Sequence, residues 1–299
     1  MNTLEKLYFT TITFRLKVTE KIILPSGLQK GYLLRQSLGN ALHKTLGDYA
    51  LEKFWNNTLN EEQYKTLKIS REPPRGYIIE PPDTNKMVFN TDDLFEIKII
   101  LIGYVTEYAD AFIDAFEFMG SNSGLGITVI NGCGKFTIDQ IFINGKKKRT
   151  KTKKAHVLYL TDLGKKEFKK GVKLNFITPA EIKISDNKRR LLLNDKKDIP
   201  YFFVSLHKRL NALEAVYCTG ICNTVDYKEM FDSAEAVNLE TGALERIRTK
   251  VAGKYLQGFR GEVLFTGSLE NFNPSLLLGE YLHIGAETNY GFGKYEIVQ

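Results

Sequence analysis

The same three-part arrangement occurs twice in this chain, and that repetition restricts its fold more than any other feature. Val105, Tyr108, Phe112, Ala115, Phe116 and Met119 fall on one helical stripe. They lead into Gly120-Ser121-Asn122-Ser123-Gly124-Leu125-Gly126, after which a strand is expected from Ile127 to about Ile143. Near the end, Asn273 to Ile284 reads as a second short helix, with Asn273 as its N-cap and Pro274 at the first helical position. Gly285 should stop it. Gly291-Phe292-Gly293 follows, and then a strand from Lys294 to Val298. Helix, Gly-rich loop and strand at equivalent places imply two similar halves rather than one large sheet.

The remaining segments fit that division. Tyr8, Thr10, Ile12, Phe14, Leu16 and Val18 share one parity, the sign of a half-buried strand. Leu34, Leu38, Leu42 and Leu46 recur every four residues, so a helix should run from about Lys30 to Leu46. Residues 47–76 look polar and irregular. A short strand at Tyr77–Glu80, stopped by Pro81-Pro82, and an alternating strand through Phe95, Ile97, Ile99 and Leu101 complete the order βαββαβ. The second half starts with a strand from Val172 through Thr178-Pro179 to Ile184, then a helix from Pro200 to about Tyr217. Residues 223–247 look irregular or made of short elements, and Tyr255–Phe265 forms one long bent strand or a hairpin. The expected fold is α+β: two tandem ferredoxin-like (RRM-like) domains, 1–145 and 172–299, with a basic linker or hairpin at 146–171.

Charge indicates the kind of partner. The net charge is +7 and the pI about 9.0, which favours a polyanion. Seven of the nine residues 146–154 are basic, among them Lys147, Lys148 and Arg149. The 15 Tyr and 19 Phe offer faces for base stacking, although most should be core. Three cysteines in a chain of this length suggest a reducing compartment without a disulfide framework. The start of the chain has no apolar signal core, and no 18-residue apolar run occurs, so a soluble cytoplasmic protein without a membrane partner is expected.

Chemistry-bearing residues are few. The loop from Gly285 to Lys294 leaves backbone N–H groups open to a phosphate or sugar, with Thr288, Asn289 and Lys294 beside them. Its spacing matches neither GxxxxGK[ST] nor GxGxxG, and a plain turn between helix and strand explains it equally well. His43 shares a helix edge with Tyr32, Gln36 and Gly39; a histidine there is either a proton carrier or an idle flank residue. Cys218-x3-Cys222 has poor zinc spacing, and no carboxylate cluster suits a nuclease metal, so neither metal nor cofactor is expected.

Several blocks resemble the CRISPR-associated endoribonucleases of the sixth Cas family, members of the RAMP superfamily. The C-terminal blocks are Gly258-Phe259-Arg260-Gly261-Glu262-Val263, Leu278-Gly279-Glu280-Tyr281-Leu282-His283-Ile284-Gly285, and Thr288-x2-Gly291-Phe292-Gly293-Lys294-Tyr295. Leu33-Leu34-Arg35-x3-Gly39-x-Ala41-Leu42, Tyr77-x2-Glu80-Pro81-Pro82 and Gly124-Leu125-Gly126 add to them. The resemblance implies two ferredoxin-like domains and metal-free cleavage of precursor CRISPR RNA by its own 2′-hydroxyl. The products would be a 2′,3′-cyclic phosphate and a 5′-hydroxyl. It implies a catalytic histidine near the first helix, a place held by His43, with Tyr32 and Lys44 assisting. RNA contacts would come from Arg35, Lys147, Lys148, Arg149, His207, Lys208, Arg209, His283 and the loop residues Gly285, Thr288, Asn289, Gly291, Gly293 and Lys294. Partners would be precursor and product CRISPR RNA, with a type I or type III effector complex as a further candidate. Two other readings stay open at this point: a non-catalytic RAMP protein that holds guide RNA, and an unrelated basic ferredoxin-like module.

Overall fold

Alternation of apolar residues on a long first strand sets the frame of the first half. The structure, a computed structural model, describes residues 4–54, 59–68, 73–129, 132–148, 155–164, 167–168, 170–184, 189–222, 225–251 and 253–298. In chain order the main elements are β1 (Tyr8–Val18), α1 (Gln29–Phe54), α2 (Glu61–Leu67), β2 (Tyr77–Glu80), β3 (Leu94–Ile102), α3 (Ala109–Phe118), β4 (Phe136–Ile143) and β5 (Lys146–Lys148). The second half adds β6 (Val172–Ala180), α4 (Ile199–Leu213), α5 (Tyr227–Ala234), β7 (Val237–Val251), β8 (Lys254–Gly267), α6 (Asn273–Leu282) and β9 (Tyr295–Val298). The chain divides into two compact units, 9–57 with 75–158, and 1–8 with 58–74 and 159–299.

In the first of these, the sheet order is β2-β3-β1-β4-β5, with β1 antiparallel to both β3 and β4. Ile12, Phe14, Leu16 and Val18 point to the core, and Phe14 stacks on Phe116 of α3 with ring centroids 4.0 Å apart. Such a pair contributes about 1 kcal/mol beyond its burial. Phe9 and Ile12 sit among the buried Thr10 and Thr11, so the start of β1 is covered on both faces. A strand from Ile127 to Ile143 does not run unbroken. Leu125–Val129 pairs with Gly132–Gly134 as a separate ribbon before β4 begins.

The second unit repeats the plan. Its sheet order is β7-β8-β6-β9, all neighbours antiparallel. In both units the four principal strands therefore line up second, third, first, fourth, with a helix after the first and another after the third. Phe176, Phe202, Phe203, Phe265, Phe272 and Tyr295 form a connected aromatic core. Burial of each such side chain contributes about 2 kcal/mol.

Other stretches differ from the sequence reading, and the strand expected to reach Ile184 ends at Ala180. Within 47–76, α1 continues past Leu46 after a break at Gly47, and α2 follows, opened by a reciprocal capping box between Asn60 and Gln63. Leu67 of α2 packs on Ala212 and Ala215, which a polarity count misses because one apolar face suffices. Within 223–247, where irregular chain or short elements are expected, the short helix α5 is followed by most of the long strand β7, Asp226 capping α5 through Lys228 and Glu229 N–H groups. Finally, α6 ends at Leu282: His283, at φ 59, makes the left-handed turn assigned to Gly285, and Asn273 lies inside the helix rather than capping it.

Candidate functional site

His43 lies in the last turn of the straight part of α1, half exposed. In an unbroken helix a residue five positions on would face away. Gly47, at φ 71 and ψ −177, breaks the helix and swings Asp48 back towards the ring. His43 Nδ1 lies 3.0 Å from Asp48 Oδ1. Donation from Nδ1 to that carboxylate leaves Nε2 as the outward nitrogen, the arrangement of an oriented proton carrier. Asp48 was not among the sequence candidates; the glycine one residue before it was the only signal.

The neighbours of His43 fall into two groups. Lys44 is exposed beside it. Tyr32 is exposed on the same edge, but eleven residues of helix put it about 16 Å away. Arg35 donates from Nε to the Tyr77 hydroxyl at 3.0 Å, which anchors α1 to β2. Lys147 and Lys148 extend outward from the edge strand β5, while Arg149 and the basic residues 151–154 fall outside the described residues.

The glycine-rich loop is built differently from the expectation. Several of its N–H groups are already engaged: Gly291 N–H donates to Thr288 O at 2.9 Å, Gly293 N–H to Pro179 O at 2.9 Å, and Lys294 N–H to Thr178 Oγ1 at 2.9 Å. Thr178 Oγ1 in turn donates to Gly291 O at 2.8 Å. Gly285 is at φ 90, and a Cβ there would come within 2.5 Å of Glu181 O. The glycines thus let the loop press its backbone against the end of β6. Thr288 is buried inside the loop, and Asn289 and Lys294 are partly exposed.

Three residues expected at RNA are turned inward. His283 is fully buried, its Nδ1 3.1 Å from Phe292 O, so it ties the end of α6 to the loop. Arg209 donates to the carbonyls of Leu282 and His283 at 3.1 to 3.2 Å, capping the C-terminus of α6. His207 is 3 % exposed, with Nδ1 3.0 Å from Ser275 Oγ, and burial pushes its pKa down to about 4. Lys208, on the other side, sits over the Tyr227 ring at 4.9 Å.

His207 has a consequence for acid stability. It stays neutral in the folded chain, whereas the unfolded chain takes up a proton below about pH 6.5. Its contribution is therefore constant above that pH and is lost as pH falls towards 4. Between pH 6.5 and 4.5 the loss should be about 2 kcal/mol. Urea midpoints measured at both pH values in the parent and in His207→Phe should show a shallower acid decline for the variant. Parallel declines would mean that His207 is not buried neutral.

Comparison with known proteins complements this geometry. No curated protein matches the chain by sequence. Residues 7–165 match the family AF_1859_N, described as an N-terminal domain. Residues 174–295 match the family described as CRISPR-associated endoribonuclease Cas6. Residues 174–295 are thus a Cas6-family domain. The chain is an endoribonuclease of CRISPR RNA processing. Among solved structures, Thermus thermophilus Cas6 aligns with TM-score 0.55 at 14 % identity, covering 98 % of this chain and 99 % of that one. A Cas6 product complex gives 0.56 at 13 %, covering 97 % and 99 %. A chain of a partial Cas6-RT-Cas1–Cas2 complex gives 0.63 at 12 %, covering 98 % of this chain and 46 % of that one. At such identities these likenesses speak for the fold, a mixed α/β architecture of antiparallel sheets. No described helix of the chain is long and apolar enough to cross a membrane.

Proposed function

We propose that the chain cuts precursor CRISPR RNA within its repeats by in-line attack of the RNA's own 2′-oxygen. The 2′-hydroxyl loses its proton as oxygen bonds to phosphorus. The bond to the 5′-oxygen breaks, and that oxygen takes up a proton. A 2′,3′-cyclic phosphate and a 5′-hydroxyl result, with no metal ion in the chemistry. His43 transfers one of the two protons through Nε2, and Asp48 orients the ring from Nδ1. Lys44 supplies positive charge near the phosphorane. Tyr32, three helical turns away, meets RNA at neighbouring nucleotides rather than at the cut phosphate. Lys147, Lys148 and Arg35 contribute charge to RNA binding.

The single observation that carries this reading is the His43–Asp48 pair, an exposed imidazole held by a carboxylate through a helix break. The shared strand order of the two units supports reading each as a ferredoxin-like domain. The cysteines fit a reducing cytoplasm. Incubation of the purified chain with the repeat RNA of its own locus, in EDTA, tests the proposal. Cutting with a cyclic phosphate on the upstream fragment is expected. An intact RNA, or cutting restored only by added magnesium, would overturn it.

A further inference from the structure

The second unit contains a cavity of about 600 Å³ that the proposed chemistry does not use. It lies where the chain enters α4, and a small phosphorylated ligand fits a space of that size. Three cations line it: Arg190, Lys197 and Arg246. Asp198 is the lining carboxylate, and it is fully buried, so the cations face a ligand first. The positive end of the α4 dipole adds to them.

Two of these cations are held in place by carboxylates outside the lining. Arg190 Nε donates to Glu181 Oε1 at 2.5 Å, and Glu181 is buried. Lys197 Nζ pairs with Asp195 Oδ2 at 2.8 Å, while Asp195 Oδ1 accepts the Lys197 backbone N–H at 3.1 Å. Side chains ordered before a ligand arrives cost less to order on binding. A planar guanidinium with a fixed direction suits a phosphate group. The rest of the lining has a different character: Leu192, Asn194 and Gln257. A side-chain amide can meet a base edge with a donor and an acceptor together, and an aliphatic side chain can cover a base face. Cations beside amides and a leucine favour a phosphorylated nucleoside over an acidic peptide, which brings no flat ring.

The cavity is also connected to the glycine-rich loop. Glu181, whose side chain orients Arg190, accepts the Ala286 N–H on its carbonyl at 2.8 Å. A phosphate that draws on Arg190 therefore acts on a residue that holds the loop.

We propose that this cavity binds a free nucleoside triphosphate, with its phosphates on Arg190, Lys197 and Arg246 and its base against Leu192, Asn194 and Gln257, and that the bound ligand steadies Glu181 against Ala286. The site rests neither on contact with RNA nor on how the chain cuts it.

The test is calorimetric titration of the full chain, free of RNA, with ATP and with GTP. At least one should bind with a Kd below about 1 mM. Inorganic tripolyphosphate should bind at least tenfold more weakly, because it leaves Leu192 and the two amides unused. Lys197→Gln and Arg246→Gln should each weaken the nucleotide about tenfold. Both side chains are exposed, so unchanged melting temperatures are part of the expected result. With nucleotide at saturation, hydrogen exchange at the Ala286 amide should slow several-fold. Failure of both nucleotides to bind would overturn the site. So would tripolyphosphate binding as tightly as the nucleotide, affinity within twofold of the parent in both variants, or unchanged exchange at Ala286 under saturation. These measurements involve no RNA and no cleavage. A failure of the His43 chemistry would leave them readable, and a failure here would leave that chemistry standing.

Discussion

Gly293→Ala should unfold the second unit at markedly lower temperature, before any question of RNA arises. Gly293 is at φ +69, and a Cβ there would lie 1.7 Å from Ile284 O and 2.8 Å from Ile284 C. Both are backbone atoms, so no side-chain rotation relieves the clash. The strand end and the loop must separate, and Ile284 N–H to Gly293 O and Gly293 N–H to Pro179 O are lost or stretched. Two buried hydrogen bonds cost about 2 kcal/mol, and the left-handed backbone about another 1 kcal/mol for a residue with a Cβ. A total of about 3 kcal/mol is a large share of the stability of a domain. The melting temperature should fall by about 10 °C. Gly145→Ala is the control. Gly145 has φ +74 but nothing within 4 Å of the added Cβ, so it bears the backbone cost without the clash. Equal melting temperatures for the two variants would contradict the packing described for the loop.

His43→Ala should slow single-turnover cleavage of repeat RNA by about a hundredfold or more, with affinity little changed. A proton carrier in the transition state contributes that much, close to 3 kcal/mol of barrier. His43 is exposed and anchors nothing in the core, so the fold should survive its loss. Asp48→Asn is expected to matter far less. The pair is exposed on both sides, and such contacts contribute at most about 1 kcal/mol, a few-fold in rate. A graded result, large for His43 and small for Asp48, separates proton transfer from orientation. Normal cleavage by His43→Ala would move the proton transfer to another side chain.

Much of the architecture was legible because periodicity is a backbone property. The strand at Tyr77–Glu80, the α1 stripe ending at Leu46 and the long β1 follow from spacing of apolar residues. What spacing does not carry is which polar groups a loop will satisfy. Three glycines around an aromatic suggested open N–H groups. The structure spends those groups on Pro179, Thr178 and Thr288, and uses the missing Cβ atoms for close approach. The histidines show the same limit. His207 and His283 are residue types suited to RNA, yet each fills a buried slot, His207 against Ser275 and His283 against Phe292 O.

The central claim is that the RNA supplies its own nucleophile. The most direct measurement removes that nucleophile alone. A repeat RNA with a single 2′-deoxy nucleotide just upstream of the cut keeps its phosphates, bases and most of its shape. It should bind nearly as tightly as the parent, compete with it, and remain uncut at that bond with or without magnesium. Cutting of the deoxy RNA at the same bond would require water or another nucleophile, and would contradict the account.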